Sequence, residues 1–338
     1  MSPLFVNRSP LTLRRTIIVL SSLTLLLIAV SILGLSIGSV SIPFRTVVDS
    51  FIDRGAVPET ELSILFDIRV PRLILAMVVG AGLSIAGVVF QALLRNPLAE
   101  PYILGISSGG TVGAIIAIGL SFGASAFTTP LASLVGSLLV MMLVYSLAHR
   151  RGQLDTNTLL LAGVMVGAFF NAAVLLIIAV FNQELRNAFL WLMGNFSGAN
   201  MESLAVVTPA VLLASAFLLF QSKNYNLIAT GDETALQLGI EVKIVKRVSY
   251  FLASLITGLV VSVSGVIGFV GLIIPHMCRM LFGPDHRLLV PASMLMGASF
   301  MIVADLLART LLAPTEIPVG AVTAAIGAPL FVYLLKKT

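Results

Sequence analysis

Long apolar runs alternate along this chain with short polar connections. A run of roughly 20 apolar residues crosses a bilayer as a helix, and on that basis ten spans are predicted. They cover Thr16 to about Ile37, Pro71 to about Leu94, Tyr102 to Leu120, Thr129 to Ala148, a fifth ending near Val180, Ser203 to Phe220, Tyr250 to Val266, Gly268 to Leu281, Leu288 to Ala308 and Pro318 to Leu335. The first is longer than a signal-peptide core and reads as a retained span. Pro71 fits the first turn of its helix. Residues 41–69 are mixed and acidic and are expected outside the bilayer; 181–202 is too polar to span and is expected to hold a short helix.

One polar stretch stands apart. Residues 221–249 carry Lys223, Asp232, Glu233, Glu241, Lys243, Lys246 and Arg247 between two apolar runs. Thr230 followed by Glu233 has the spacing of a capping box. Asp232 and Glu233 would complement the positive end of that helix, and Gly239 would stop it. Ala235, Leu236, Leu238 and Ile240 would then form an apolar knob on a water-exposed platform, the mark of a docking element for a soluble partner. A long, partly ordered loop is the alternative.

Composition agrees with a membrane protein: 58% of residues are hydrophobic and 10% charged, against about 25% charged in soluble domains, and the mean hydropathy is +1.07. A single cysteine, Cys278, excludes an internal disulfide and a cysteine metal site. The pI of 9.7 fits basic residues held at one membrane face rather than nucleic-acid binding. With ten spans, 14 of the 20 Lys and Arg residues fall on the side of the N-terminus, which predicts cytoplasmic termini and a cytoplasmic platform. Glycines four apart, such as Gly109 and Gly113 or Gly163 and Gly167, predict close helix packing.

Several chemistries are missing. The predicted span interiors carry almost no acidic residue or histidine of the kind that ion-coupled carriers place near the midplane. No lysine follows a glycine, so there is no phosphate-binding loop. His149, His276 and His286 lie at span ends without metal-ligand spacing. No catalytic set and no metal site are predicted. The chain reads as a conduit without its own motor, with a proton-coupled secondary carrier as the competing class.

The segments RVPR (69–72), NPLAEP (96–101), LLLAG (159–163), GDETALQLG (231–239), GFVGLIIPHMCR (268–279), GPDHR (283–287), ADLLAR (304–309) and EIPVG (316–320) occur in this order. Together they resemble the permease subunits of the BtuC/FecCD family of ABC importers for vitamin B12, haem and ferric siderophores, over about residues 60–335. The resemblance implies an all-α, ten-span BtuC-like bundle in one transmembrane domain, 1–338. It sits in the inner membrane and pairs with a second permease, two cytoplasmic ATPase subunits and an external substrate-binding protein. One chain supplying ten spans is expected to pair with an identical copy, with a heterodimer as the alternative. No cofactor is implied on this chain; ATP and Mg belong to the partner ATPase.

Carried over by position, the resemblance makes Asp232, Glu233, Ala235, Leu236, Leu238, Gly239 and Ile240 the ATPase-coupling residues. It makes Asn96, Leu98, Thr156 and Asn157 the cytoplasmic gate, with Asn157 standing where the family has a serine. Arg69, Arg72 and Arg309 would receive acidic residues of the binding protein, although local pairing of Arg309 with Asp305 and of Arg69 with Asp67 is the simpler alternative. The fifth span, the segment after it and the tenth span would line the pathway, with Asn171, Ser197, Asn200 and Thr323 among the lining residues. The expected cargo is a ferric siderophore, with haem or a cobamide second.

Overall fold

The computed structural model describes residues 11–38, 40–120, 127–150, 153–180, 189 and 191–337. Its helices are α1 (Leu13–Ser36), α2 (Phe44–Ile52), α3 (Glu59–Ser63), α4 (Val70–Leu93), α5 (Ile106–Gly119), α6 (Thr128–Ala148) and α7 (Thr156–Val180). They continue as α8 (Met201–Phe220), α9 (Ser222–Thr230), α10 (Asp232–Gln237), α11 (Val242–Ser264), α12 (Val270–Phe282), α13 (His286–Thr310) and α14 (Val319–Lys337). Each predicted span has its helix. Seven are long and apolar enough to cross a membrane, and α5, α12 and α14 are shorter apolar helices. The only strands among the described residues are a two-residue antiparallel pair, His149–Arg150 with Gln153–Leu154. The short helix expected within 181–202 falls largely outside the described residues, as do Arg8 and Arg151.

Side chains at the termini fix several boundaries. Asn200 Oδ1 accepts from Ser203 N–H at 2.8 Å to start α8, and Asp285 Oδ1 accepts from Arg287 N–H at 3.0 Å to start α13, each an N-cap. One boundary differs from expectation. The helix α11 begins at Val242 rather than Tyr250, so the end of the polar stretch is already span helix.

Residues 59–69 continue into the second span as helix. The helix α3 runs through a π-helical turn at Ile64–Arg69 into α4, where Val70 N–H reaches Leu65 O. The wider turn absorbs the break that Pro71, with no N–H of its own, puts in the ladder. The result is a 35-residue rod, Glu59–Leu93. At about 1.5 Å per residue it is roughly 50 Å long, well beyond a hydrocarbon layer of about 30 Å.

That rod is the centre of the fold. In its most apolar window 78% of α4 is buried, against 17% for α1 and 22% for α7. The neighbours of α4 are α13, α11, α12 and α8, while α5 pairs with α6 and also touches α7. Two glycine seams set the spacing. A Cβ on Gly80 would lie 2.1 Å from the Gly297 carbonyl oxygen of α13, and one on Gly87 would lie 1.9 Å from the Gly271 carbonyl oxygen of α12. Backbones in contact over small residues are the usual close packing of membrane helices. Gly80→Ala is therefore expected to lower stability by about 1–3 kcal/mol through overpacking. Gly198→Ala, with nothing within 4 Å of its added carbon, should be neutral. Thermal unfolding of the purified protein in detergent compares the two.

The helices α5 and α12, of 14 and 13 residues, are only about 20 Å long and cannot cross a bilayer alone. Each starts part way up the bundle. Gly271 meets Gly87 of α4 and Gly105 meets Gly163 of α7, both about 10 Å in from a helix end. The irregular segments 99–105 and 265–269 thus lie inside the protein, the one place where such backbone is tolerated at membrane depth.

Candidate functional site

The platform is built from α9, α10 and the start of α11. Gly231, at φ +130°, separates α9 from α10. The capping box does not form: Thr230 Oγ1 donates back to Leu227 O at 2.7 Å, so Thr230 closes α9 and Gly231 opens α10 without a side-chain cap. The stop at Gly239 is as expected. With φ +84°, its N–H donates to Leu236 O at 3.0 Å while Ile240 N–H reaches Ala235 O at 3.0 Å, a Schellman motif.

This motif sorts the four knob residues. Leu236 and Leu238 are 54% and 60% exposed, and Ile244 of α11, which the sequence reading missed, is 50% exposed beyond them. Ala235 is fully buried and Ile240 half-buried, so both belong to the anchor rather than the knob. Asp232 is more than a helix-end charge, since its Oδ2 lies 2.6 Å from Lys246 Nζ, a buried lysine on α11. Glu233 is exposed. A second brace joins α9 to the 283–287 turn: Asn226 Nδ2 donates to Asp285 Oδ1 at 2.8 Å and Asn226 Oδ1 accepts from His286 N–H at 2.8 Å. Arg287, followed by Asn226, holds the Asp285 carboxyl down to about 2. A depressed carboxyl stabilises the fold above its unfolded value and loses that contribution as pH falls toward 2, so this brace is intact at neutral pH.

The turn after α4 lies beside the same platform. Arg95 takes the left-handed position, φ +47°, that glycine usually fills at a helix C-terminus. Its guanidinium faces Gly231, where a Cβ would sit 3.9 Å from Arg95 Nη1. Asn96 Oδ1 accepts from Leu98 N–H at 2.9 Å, which leaves Leu98 41% exposed. Thr156 and Asn157 open α7, half-buried and exposed respectively, with Asp155 Oδ1 accepting from Thr158 N–H at 2.6 Å. Deeper in, Gln91 Oε1 accepts from Arg279 Nη2 at 2.8 Å, and His276 is buried with Nδ1 unpartnered.

At the opposite end the three arginines turn inward, and the local Arg309–Asp305 pair is present. Arg69 is 4% exposed and donates to Leu35 O and Val40 O, while Asp67 accepts from Ser63 Oγ instead. Arg72, also 4% exposed, donates through Nε to Asp305 Oδ1 at 2.7 Å and through Nη1 to Glu316 Oε2 at 2.9 Å. Arg309 Nε lies 3.0 Å from Asp305 Oδ2 and its Nη2 donates to Gly34 O at 3.2 Å. Three guanidiniums meet two carboxylates, and Arg72 Nη2 is buried without a hydrogen-bond partner. A cleft of about 160 Å³ opens beside them, lined by Gly38, Arg69, Arg72, Arg309 and Glu316. Sequence distance hid this cluster, because Asp305 and Glu316 lie more than 230 residues from Arg72.

Of the expected lining residues, Asn171 and Ser197 are exposed and Asn200 half-buried, but Thr323 is fully buried and donates to Gly320 O at 3.0 Å, so it faces the core. A polar cavity of about 440 Å³ lies between Trp191, Asn195, Asn200, Ser262 and Ser264. Asn195 and Asn200 spend their carbonyls on their own loops, accepting from Ser197 and Ser203 N–H. Among the described residues no cluster of three or more His, Cys, Asp or Glu could hold a metal ion.

The family model of the FecCD transport family matches residues 25–337. The chain is 43% identical to the cobalamin import system permease protein BtuC of Halobacterium salinarum, over 83% of this chain and 75% of that protein. It is 38% identical to the hemin transport system permease protein HmuU of Yersinia pestis, over 95% and 96%. Among solved structures, an inward-facing metal-chelate type ABC transporter superposes with a TM-score of 0.84 at 34% identity, covering 94% of this chain and 99% of that one.

Proposed function

The chain belongs to the FecCD transport family and is a multi-pass membrane permease subunit of an ABC importer; from that premise we propose that it moves a metal chelate into the cytoplasm, driven by a separate ATPase seated on α10. The observation that carries the reading is the platform. Exposed Leu236 stands on the six-residue α10 and exposed Leu238 at its C-cap, anchored by a glycine turn and the Asp232–Lys246 pair, with α9 braced through Asn226. A rigid apolar contact with a charged rim suits a soluble partner that must push rather than merely adhere. Because Arg95 faces Gly231, a push on α10 reaches the turn bearing Asn96 and Leu98, which with Thr156 and Asn157 forms the proposed gate.

The assembly we propose is two identical permeases, two ATPases and an external binding protein, with the termini and platform cytoplasmic. The sparsely buried α7 supports a lipid or partner-facing side for the pathway between copies. On the outer face a carboxylate of the binding protein would enter the arginine cleft and meet Arg72 Nη2. Reversing Arg72 is a poor test of that docking, since a carboxylate there would be buried beside Asp305 and the fold would suffer first.

The cargo we propose is a ferric siderophore. A cobamide is the second reading, favoured by the 43% identity to a cobalamin permease. The test is uptake by proteoliposomes holding this chain, its ATPase and its binding protein, with ferric hydroxamate, haemin and cobalamin offered in competition. ATP-dependent uptake, with the ferric chelate preferred, is expected. Uptake by this chain alone under a proton gradient would sink the importer reading, and preference for cobalamin would replace the cargo.

A further inference from the structure

Phe269 has φ +71° and ψ −24°, a left-handed backbone that bulky residues adopt only when their surroundings force it. It is the residue before α12 and offers no cap of its own. Its N–H donates to Glu100 Oε1 at 2.7 Å. Two residues earlier, Ile267 N–H donates to Tyr102 Oη at 3.2 Å. Two side chains from the segment just after Leu98 thus satisfy two backbone groups in 265–269, backbone that lies inside the bundle and needs partners. Among the described residues no lysine or arginine pairs with Glu100. Its carboxyl faces instead the N-terminal end of α12. On the other side of the joint Phe269 has no slack: a Cβ on Gly327 of α14 would come within 2.6 Å of Phe269 Cβ.

We propose that Glu100 and Tyr102 form a clasp that makes the 95–101 turn, α12 and α14 move as one body, with Glu100 as a positioning residue for the gate. The proposal rests on the permease reading for its purpose, though not for its geometry. A local Ser or Asp at position 269 would satisfy the first N–H groups of α12 but not the N–H of residue 269 itself. That group is met by a segment 169 residues away, so the bond holds the two segments in register.

The test uses the full chain in nanodiscs with Cys278, the sole cysteine, replaced by serine. Spin labels are placed at Leu98, in the turn, and at Leu281, near the end of α12, which are 41% and 52% exposed. A narrow distance distribution is expected, broadened and displaced in Glu100→Ala and retained in Glu100→Gln, which keeps the acceptor oxygen. Tyr102→Phe, a milder change that removes only the second acceptor, should broaden it partly. Since these measurements need neither ATPase nor cargo, their outcome is separate from that of the importer reading. In the reconstituted complex Glu100→Ala should cut cargo moved per ATP by roughly fivefold or more, with ATP hydrolysis near wild type. An unchanged distribution in Glu100→Ala, a Gln variant as broad as Ala, or transport and hydrolysis falling together would each overturn the clasp.

Discussion

Leu236→Asp is expected to strip the ATPase from the complex while leaving the permease folded. Leu236 is more than half exposed in this chain, so its apolar surface serves little here and waits for a partner. Burying a leucine contributes about 1.5–3 kcal/mol, and each 1.4 kcal/mol is tenfold in affinity. Replacing it with a charge that must be desolvated costs at least as much, so affinity should fall by one to two orders of magnitude. Gly239→Val reaches the same end by another route. Nothing lies within 4 Å of its added carbon, and the damage is to the backbone, because a β-branched residue resists φ +84°. The Schellman turn would then open and Leu238 would lose its aim. Co-purification of the ATPase and transport-linked ATP hydrolysis measure both. Wild-type values in both variants would demote 230–247 to a loop and send the search to the 149–157 and 283–287 turns.

Asp305→Ala should be the most destabilising single change at the opposite end. Asp305 is 3% exposed and takes Arg72 on one oxygen and Arg309 on the other. Deleting it leaves two buried guanidiniums short of a counter-charge, where loss of one partner of a buried pair typically costs about 3–5 kcal/mol. Glu316 cannot compensate, since its side chain is 42% exposed and it already holds Arg72. Glu316→Gln should therefore cost about 1 kcal/mol or less, the range of solvent-screened pairs. The unfolding midpoint in detergent should drop on the order of 10 °C for Asp305→Ala and barely move for Glu316→Gln. Equal midpoints would mean that the cluster contributes nothing to the fold.

What could be read from the sequence follows from how local each signal is. The helices were legible because lipid demands long uninterrupted apolar runs, and the predicted boundaries fall within a few residues of those seen except at α11. The Gly239 stop was legible because a glycine turn is a property of five consecutive residues. The partners of Arg72 were hidden for the opposite reason. Arg72 stands at the polar end of a span, and only folding brings Asp305 and Glu316 across to it. Glu100 was invisible for the same cause, since nothing in NPLAEP tells that α12 begins beside it. Thr230 carried a valid capping signal that lost to a competing bond back to Leu227, as threonine hydroxyls near a helix end often do.

The rod from Glu59 to Leu93 has a mechanical consequence. Arg72 sits at the start of α4 and the 95–101 turn follows its end, about 30 Å apart at 1.5 Å per residue, with no joint between them in α4. A load applied at the arginine cluster would therefore travel along the axis of α4, past the glycine seams at Gly80 and Gly87. The π-helical turn at Ile64–Arg69 lies outboard of Arg72, so flexure there would leave the section inside the bundle straight.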